Sequence, residues 1–192
     1  MTGARASVYE AVLARRSYSK VTEEAPTTAE VERLLEAAAT AADHAGLAPW
    51  RVIELRGRAR ERLGDALALA AANAGADADA AASQRSKPLR AELLLAVVVS
   101  YRESHKVERW EQEVAAAGVA HLLTLLLDDA GWGAMWRSGP HTRTPEVAAA
   151  HGLGADEALL GWIYVGGIPS GARRERHATV DLAERHTVLA AD

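Results

Sequence analysis

Two short segments combine arginine with a hydroxyl residue, a pairing that suits a phosphate group. Arg15-Arg16-Ser17 follows a predicted helix, and Trp136-Arg137-Ser138-Gly139 closes a predicted strand. Arginine offers paired donors and a permanent charge, and serine adds one more donor. Taken alone, the first segment is more often a solvated basic helix end and the second a turn with a surface arginine. The residue types therefore indicate a phosphate or polar ligand only if the fold brings the segments together.

A loop histidine and an acidic helix start are further candidates. His44 lies in the predicted loop from Asp43 to Pro49, beside Gly46. A metal role is disfavoured because no second ligand lies nearby at a suitable spacing. The run Arg109-Trp110-Glu111-Gln112-Glu113 opens a helix, where acidic residues already stabilise the helix dipole. Alone, each of these features is more simply explained without a ligand.

Several chemistries are excluded by motifs that the sequence lacks. The 192 residues include no cysteine, which excludes disulfides, thiolate metal sites and a cysteine nucleophile. Gly131-Trp132-Gly133 is not a dinucleotide-binding fingerprint, because the third glycine and the strand–turn–helix setting are missing. The sequence also lacks the Walker A, HExxH and GxSxG patterns.

Length and composition indicate one ordinary globular domain spanning residues 1–192. Hydrophobic residues make up 49% and charged residues 25%, with alanine and leucine dominant and no phenylalanine. The net charge of −4 gives no nucleic-acid footprint. Neither a signal peptide nor a run long enough to span a bilayer is visible, so we expect a cytoplasmic protein without a membrane partner.

Helix signals dominate the chain. Two capping boxes, Ser7–Glu10 and Thr27–Glu30, each predict a helix start. The second helix should place a run of apolar residues on one face: Val31, Leu34, Leu35, Ala38 and Ala42. Further helices are predicted over Arg58–Ala74, Trp110–Ala130 and from Thr144 to Gly152, and Ala76–Ala82 is predicted to be mobile.

About four strands are interleaved with these helices. They are predicted over Trp50–Leu55, Leu93–Ser100, Gly131–Trp136 and Leu159–Val165. The continuous apolar run from Leu93 is typical of a strand buried on both faces. The alternation of helices and strands predicts a layered α/β or α+β domain.

Together, and in this order, the motifs resemble the nitroreductase superfamily, most closely its small YdjA-type members. Each motif alone is unspecific, but they occur in register from about Val8 to Pro169. The matching stretches are Ala14-Arg15-Arg16-Ser17, Ala42-Asp43-His44 with Pro49-Trp50, His105-Lys106-Val107 with Arg109-Trp110-Glu111-Gln112-Glu113, and Trp136-Arg137-Ser138-Gly139.

The resemblance implies an α+β sandwich, with a mostly antiparallel or mixed central sheet flanked by helices. It also implies a homodimer with two FMN molecules, each contacted by both chains. In such a site Arg15, Arg16 and Ser17 would hold the FMN phosphate and ribityl chain. Trp136, Arg137 and Ser138 would close the same site, and His44 would reach the partner chain's flavin. The nicotinamide cofactor would lie at the turn formed by Leu126, Leu127, Asp128, Asp129, Ala130 and Gly131.

One position departs from the resemblance. Close relatives have an arginine four residues before the histidine, facing the partner's flavin, where this chain has Thr40. Losing that cation is expected to alter cofactor affinity or the preference for charged substrates. The following proline of the relatives is Ala42 here, which is a smaller change.

The implied reaction is FMN-dependent reduction of nitroaromatics, quinones or related electron-poor acceptors by NAD(P)H. Lys87 and Arg90 are candidates for stabilising the reduced flavin at its N1–C2=O edge, although such a run is also typical of solvated surface. Three alternatives stay open: another flavin reaction (dehalogenation, azoline oxidation or consumption of the flavin itself), a flavin-sequestering dimer, and a helical interaction module without flavin. The basic tail Arg173-Arg174-Glu175-Arg176 could meet a 2′-phosphate or be solvated, so the sequence does not choose between NADH and NADPH. It also does not name the physiological acceptor.

Overall fold

The computed structural model describes residues 7–172 and 180–189. Its six α-helices are α1 (Val8–Ala14), α2 (Thr28–Ala38), α3 (Arg58–Asn73), α4 (Ala78–Ser86), α5 (Arg109–Asp129) and α6 (Pro145–His151). Its four strands are β1 (Trp50–Leu55), β2 (Leu93–Ser100), β3 (Trp132–Arg137) and β4 (Glu157–Gly167). The α+β architecture expected from the resemblance is confirmed.

The strands form one sheet with the order β1-β2-β4-β3, and every neighbouring pair is antiparallel. Strand β4 is longer at both ends than its apolar run predicts, because it must pair with β2 on one side and β3 on the other. Its register against β2 skips Leu160, since Val97 pairs with Gly161 and Val98 with Leu159. This β-bulge bends the strand close to the end of β3.

Alternate side chains of β2 enter two different cores. Leu93, Leu95 and Val97 pack with α2 and α5 on one face of the sheet. Leu94, Ala96 and Val98 pack against α3 and α6 on the other face. All eight residues of β2 are buried, as the continuous apolar run predicts. The sheet therefore lies between two helical layers.

The predicted helix starts are confirmed by their capping contacts. Ser7 and Thr27 each accept a hydrogen bond from the backbone N–H three residues on, and Glu10 and Glu30 return the reciprocal bond. A predicted helix end is confirmed as well: α6 is followed by Gly152, which adopts a left-handed conformation with φ of 60°.

One prediction about helix extent is wrong, and a second segment forms a helix that was not predicted. Helix α2 ends at Ala38, so Ala42 lies beyond it in an exposed position rather than on its buried face. The predicted mobile stretch Ala76–Ala82 instead enters helix α4, whose N-cap Asp77 accepts a hydrogen bond from the Ala80 N–H. Contact with α3 stabilises this alanine-rich segment, which composition alone did not reveal.

Helix α5 packs into the core on one side, but its other side is uncovered. Residues such as Val119 and Leu123 are buried against the sheet and α2, whereas Trp110 is 65% and Val114 62% exposed. In the described part of the chain no helix combines the length and the apolar character needed to cross a membrane.

Candidate active site

The first predicted phosphate segment leaves the end of α1 and is held against the end of α5. The Arg16 guanidinium donates to the carbonyls of Leu13 at 2.6 Å and Arg15 at 2.9 Å. The Arg16 backbone N–H donates to the Asp128 carboxylate at 3.3 Å, and Arg15 Nη1 donates to Ser17 Oγ at 3.4 Å. Arg15, Arg16 and Ser17 are therefore fixed together beside the predicted nicotinamide turn.

The chain following this segment lines a cavity of about 420 Å³. One wall is formed by residues 16–20 and the other by the turn over 169–172 that follows β4. The Tyr18 N–H donates to the Ala134 carbonyl at 2.9 Å, which ties the first wall to β3. We call this space the phosphate cavity. The basic tail Arg173-Arg174-Glu175-Arg176 lies outside the described residues.

A second cavity, of about 520 Å³, lies beyond the end of β3. Trp162 and Tyr164 of β4 lie at its base, and Trp136, Arg137 and Ser138 form one side. We call this space the ring cavity because aromatic side chains line it.

Arg137 connects the two cavities. Its Nη2 donates to the carbonyl of Ser19, a residue of the phosphate cavity, at 3.4 Å. Its guanidinium carbon lies 5.3 Å from the ring centroid of Tyr164 in the ring cavity. The two predicted segments therefore meet in space through Arg137. The sequence of either segment alone does not indicate this contact.

Cationic or protonatable side chains are concentrated in the ring cavity, and its lining contains no carboxylate. They are Lys87, Arg90, Arg137 and His141. Burial raises the pKa of the Tyr164 phenol, while the positive charges of Arg137 and Arg90 act in the opposite direction. A chain with a net charge of −4 thus has a cavity that favours negative charge.

Unpaired polar atoms are concentrated at the same place. Within residues 7–172 and 180–189, five buried side-chain nitrogen or oxygen atoms lack a hydrogen-bond partner. Four belong to the two cavities: Arg16 Nε, Tyr18 Oη, Trp136 Nε1 and Arg137 Nε. Buried polar groups are normally satisfied, so this cluster marks the two cavities as a place where partners from outside the chain, water or ligand, are needed.

The bulge in β4 determines where Trp136 lies. A Cβ on Gly161 would be 2.6 Å from Trp136 Nε1 and 2.4 Å from the Arg137 carbonyl, so only glycine admits this close approach. The Trp136 indole also makes an edge contact with His121 of α5, with ring centroids 5.1 Å apart. The absence of a side chain at Gly161 therefore allows the strand end to lie flat against β4.

The predicted nicotinamide turn, Leu126–Gly131, closes α5 and adjoins the phosphate cavity through Asp128. Leu127 is fully buried in the core, so its side chain is structural. Ala130 and Gly131 are exposed, and Gly131 has a φ of 86° that favours glycine. Any ligand at this turn would thus meet its exposed backbone rather than Leu127.

His44 lies at the opposite end of α5. Its Nδ1 is 2.8 Å from the carboxylate of Glu111, in the first turn of that helix. Thr40 is exposed and donates its hydroxyl to the Ala37 carbonyl at 2.8 Å. Glu111 and Asp128 are 17 residues apart, or about 25 Å along a helix. Within one chain, His44 and Arg16 are therefore too far apart to contact the same group of a ligand.

Sequence reasoning missed some cavity residues. Tyr18 and His141 follow the two predicted segments closely, but no local pattern marks either as a site residue. Trp162 and Tyr164 are two apart on β4, so strand periodicity would have placed them on one face, but not at a cavity. Which residues of one strand face another segment is decided only by the assembled sheet.

Comparisons with known proteins agree with one another. Residues 12–167 match the family model described as "Nitroreductase family". The Escherichia coli (strain K12) protein named "Putative NAD(P)H nitroreductase YdjA" is 36% identical over 157 residues, covering 82% of this chain and 86% of that protein. A nitroreductase-like family protein from Bacillus cereus has a similar structure, with a TM-score of 0.82, 20% identity and full coverage of both chains. The FMN and NADPH-dependent nitroreductase NfnB, from a strain designated sphigopyxis sp. HMH, gives a TM-score of 0.76 at 20% identity, covering 97% of this chain and 100% of that one.

Proposed function

The chain belongs to the nitroreductase family, and we propose that it is a homodimeric FMN enzyme that uses NAD(P)H to reduce nitroaromatics, quinones or related electron-poor acceptors. The observation that carries this proposal is the cluster of unpaired buried polar atoms where the phosphate cavity meets the ring cavity. The names of the Escherichia coli relative and of NfnB support the choice of NAD(P)H and FMN.

The residues present fit FMN in chemistry and arrangement. Arg16 and Ser17, with Arg15 beside them, offer donors for a phosphate at the phosphate cavity. Arg137, whose Nε lacks a partner and whose guanidinium lies at the ring cavity, offers donors to a polar heterocycle. An elongated ligand with a phosphate at one end and a ring at the other would satisfy both cavities.

FMN bound across these cavities would supply the hydride chemistry, through its N5, that links NAD(P)H to the acceptor in two separate half-reactions. Lys87 and Arg90 line the ring cavity and would favour the negative charge of the reduced isoalloxazine at its N1–C2=O edge. Arg137 would orient the ligand, since it contacts both cavities. The exposed backbone of Ala130 and Gly131 would receive the nicotinamide cofactor.

Uncovered apolar surface supports the dimer. The four large apolar residues of α1, Val8, Tyr9, Val12 and Leu13, are 52–77% exposed, and α1 buries no residue at all. Helix α1 contacts α5, whose Trp110 and Val114 are also exposed. Exposed apolar patches on helices are typical of interfaces. A second copy of the chain is the occupant we propose.

The position of His44 favours a site shared by two chains. His44 and Arg16 lie near opposite ends of α5, about 25 Å apart along its axis. If both serve the same flavin, the natural arrangement is that one chain supplies the arginine and its partner the histidine.

The experiment that tests this function is the absorption spectrum of freshly purified protein. We expect flavin bands that bleach when NADH or NADPH is added anaerobically and return when a nitroaromatic or quinone follows. Protein that neither carries flavin nor binds added FMN would contradict the proposal.

Two intermediate outcomes have distinct meanings. Flavin bands that neither nucleotide bleaches would favour a flavin-sequestering dimer. Bleaching without reoxidation by nitroaromatics or quinones would indicate one of the other flavin reactions found in the superfamily. Both outcomes would keep FMN and replace the proposed reaction.

A further inference from the structure

The turn that carries His44 has an unfavourable backbone. Ala45 and Ala48 have φ values of 64° and 44°, and Gly46 between them has a φ of 63°. Alanine avoids this left-handed region because its Cβ crowds the following carbonyl oxygen. The Asp43 carboxylate holds the turn closed by accepting the Ala48 N–H at 2.6 Å. Strain retained in this way usually marks a residue that must be held in one position.

Glu111 holds the imidazole of His44 with one of its two carboxylate oxygens. Oε2 lies 2.8 Å from His44 Nδ1, and Oε1 accepts the Glu108 backbone N–H at 3.0 Å. The contact with His44 is the main cause of a lowered pKa for Glu111, which is therefore ionised and can only accept. Nδ1 must carry the proton in this contact, so Nε2 is the nitrogen turned away from Glu111.

In the other two capping boxes the glutamate likewise uses a single carboxylate oxygen for the cap. Glu10 and Glu30 each use Oε2 for both the backbone N–H and the hydroxyl of their N-cap residue, Ser7 and Thr27. The N-cap of α5 is Glu108, which has no hydroxyl to donate. As in the other boxes, one oxygen of Glu111 completes the cap, and at α5 the second oxygen meets His44.

We propose that Glu111 is a positioning residue for the flavin site of the partner chain: it fixes the His44 imidazole in the Nδ1–H form and presents Nε2 to the FMN. This inference rests on the proposed function. The strained turn fixes the position of His44. The Glu111 carboxylate fixes the rotation of the imidazole ring and therefore which nitrogen faces outward.

The test compares Glu111→Ala with Glu30→Ala, which removes the same capping carboxylate from α2, where no histidine is attached. Both variants should lose similar thermal stability. The FMN dissociation constant should rise about tenfold for Glu111→Ala, as expected for loss of an oriented hydrogen bond. It should stay unchanged for Glu30→Ala. Glu111→Gln keeps a neutral acceptor for the Nδ1 proton and should recover most of the affinity.

A second readout does not need the flavin. Spectra of 15N-labelled histidine in the FMN-free protein, at about pH 8, should show His44 mainly in the Nδ1–H form. In Glu111→Ala this preference should be lost, and in Glu30→Ala it should persist. A double variant lacking both His44 and Glu111 side chains should bind FMN no more weakly than His44→Ala alone.

The outcomes separate this inference from the proposed function. If Glu111→Ala and Glu30→Ala affect FMN affinity equally, or the His44 tautomer is the same in both, the positioning role is wrong even though flavin bands are present. If the wild-type protein binds no FMN, the proposed function fails first, and the presentation of His44 to a flavin fails with it.

Discussion

The indole Nε1–H of Trp162 donates to Nε2 of His151 at 3.0 Å, while Nδ1 of the same imidazole lies 2.7 Å from the Val147 carbonyl. A carbonyl only accepts and an indole N–H only donates, so His151 must be neutral with its proton on Nδ1. His151 is buried, and Trp162 lies at the base of the ring cavity. A buried neutral histidine thus fixes an aromatic wall of the candidate site.

This contact predicts a loss of stability in mild acid. Burial lowers the pKa of His151 below its usual value of 6.5, and the charge of Arg51 lowers it further. Because the folded protein binds this proton less readily than the unfolded chain, the neutral His151 stabilises the fold fully above about pH 6.5. That contribution is lost as the pH falls through the lower folded value. Urea unfolding between about pH 7 and pH 5 should show the decline.

The ion pair of Arg51 and Glu157 is expected to affect stability in a separate, more acidic pH range. Glu157 has its pKa lowered from 4.5 to about 2 by the hydrogen bond from Arg51, so its contribution is present above pH 4.5 and lost below it. His151→Gln offers both a donor and an acceptor without titrating. In this variant the decline in stability between about pH 7 and pH 5 should be absent. An unchanged decline would disprove the assignment to His151.

Arg16→Ala should weaken FMN binding with little change in fold. Losing a charge-assisted contact to phosphate costs about 1.5–3 kcal/mol, which is roughly one to two decades in affinity. Fluorescence titration with FMN measures the change. Arg33→Ala, which removes an exposed arginine from α2, is the matched control and should bind normally. An unchanged dissociation constant in both Arg15→Ala and Arg16→Ala would remove the phosphate assignment.

A mixed dimer tests whether the site is shared. If the site is shared, and one chain carries Arg16→Ala and the other His44→Ala, both defects fall on one flavin and the second flavin keeps two intact contributors. Such a dimer should retain about half of the wild-type activity, although each variant homodimer is poor at both sites. If His44 served the flavin of its own chain, every site would carry one defect and no rescue would be measured.

Thr40→Arg should add the cation that the family resemblance leads us to expect at this position. Thr40 is exposed and its hydroxyl bonds only locally, to the Ala37 carbonyl, so the replacement should cost little stability. We expect slower release of FMN or faster reduction of anionic acceptors, because the added charge would face the partner's flavin. Thr40→Lys supplies a positive charge without the planar guanidinium group of arginine, so it separates the effect of charge from that of paired hydrogen bonds. Equal FMN release and acceptor rates in all three proteins would contradict a role for this position.

Gly161→Ala should disturb the site through packing alone. The new Cβ would overlap Trp136 and the Arg137 carbonyl at a φ of 148°, so we expect a loss of about 2–3 kcal/mol of stability together with weaker FMN binding. Gly152→Ala is the control: its φ of 60° is also unfavourable for alanine, but no atom lies within 4 Å of the added Cβ. It should cost about 1 kcal/mol and leave FMN affinity intact. Thermal unfolding and FMN titration of both variants decide the matter.

Local sequence determined the elements whose signals are local. The Ser7 and Thr27 capping boxes marked two helix starts, and Gly152 marked a helix end, because each needs only residues within one turn. The apolar run of β2 likewise required burial on both faces. The Asp77 N-cap of α4 was a local signal as well, but low complexity obscured it.

Tertiary structure decided what depends on residues far apart in the chain. The sequence identified Arg16 and Arg137 as separate arginines, and only the sheet edge between β3 and the segment after α1 brought their cavities together. It identified His44 and Glu111 in separate motifs, and only the packing of a strained turn on α5 paired them. Contacts of this kind are fixed by chain closure and core packing, which no local pattern encodes.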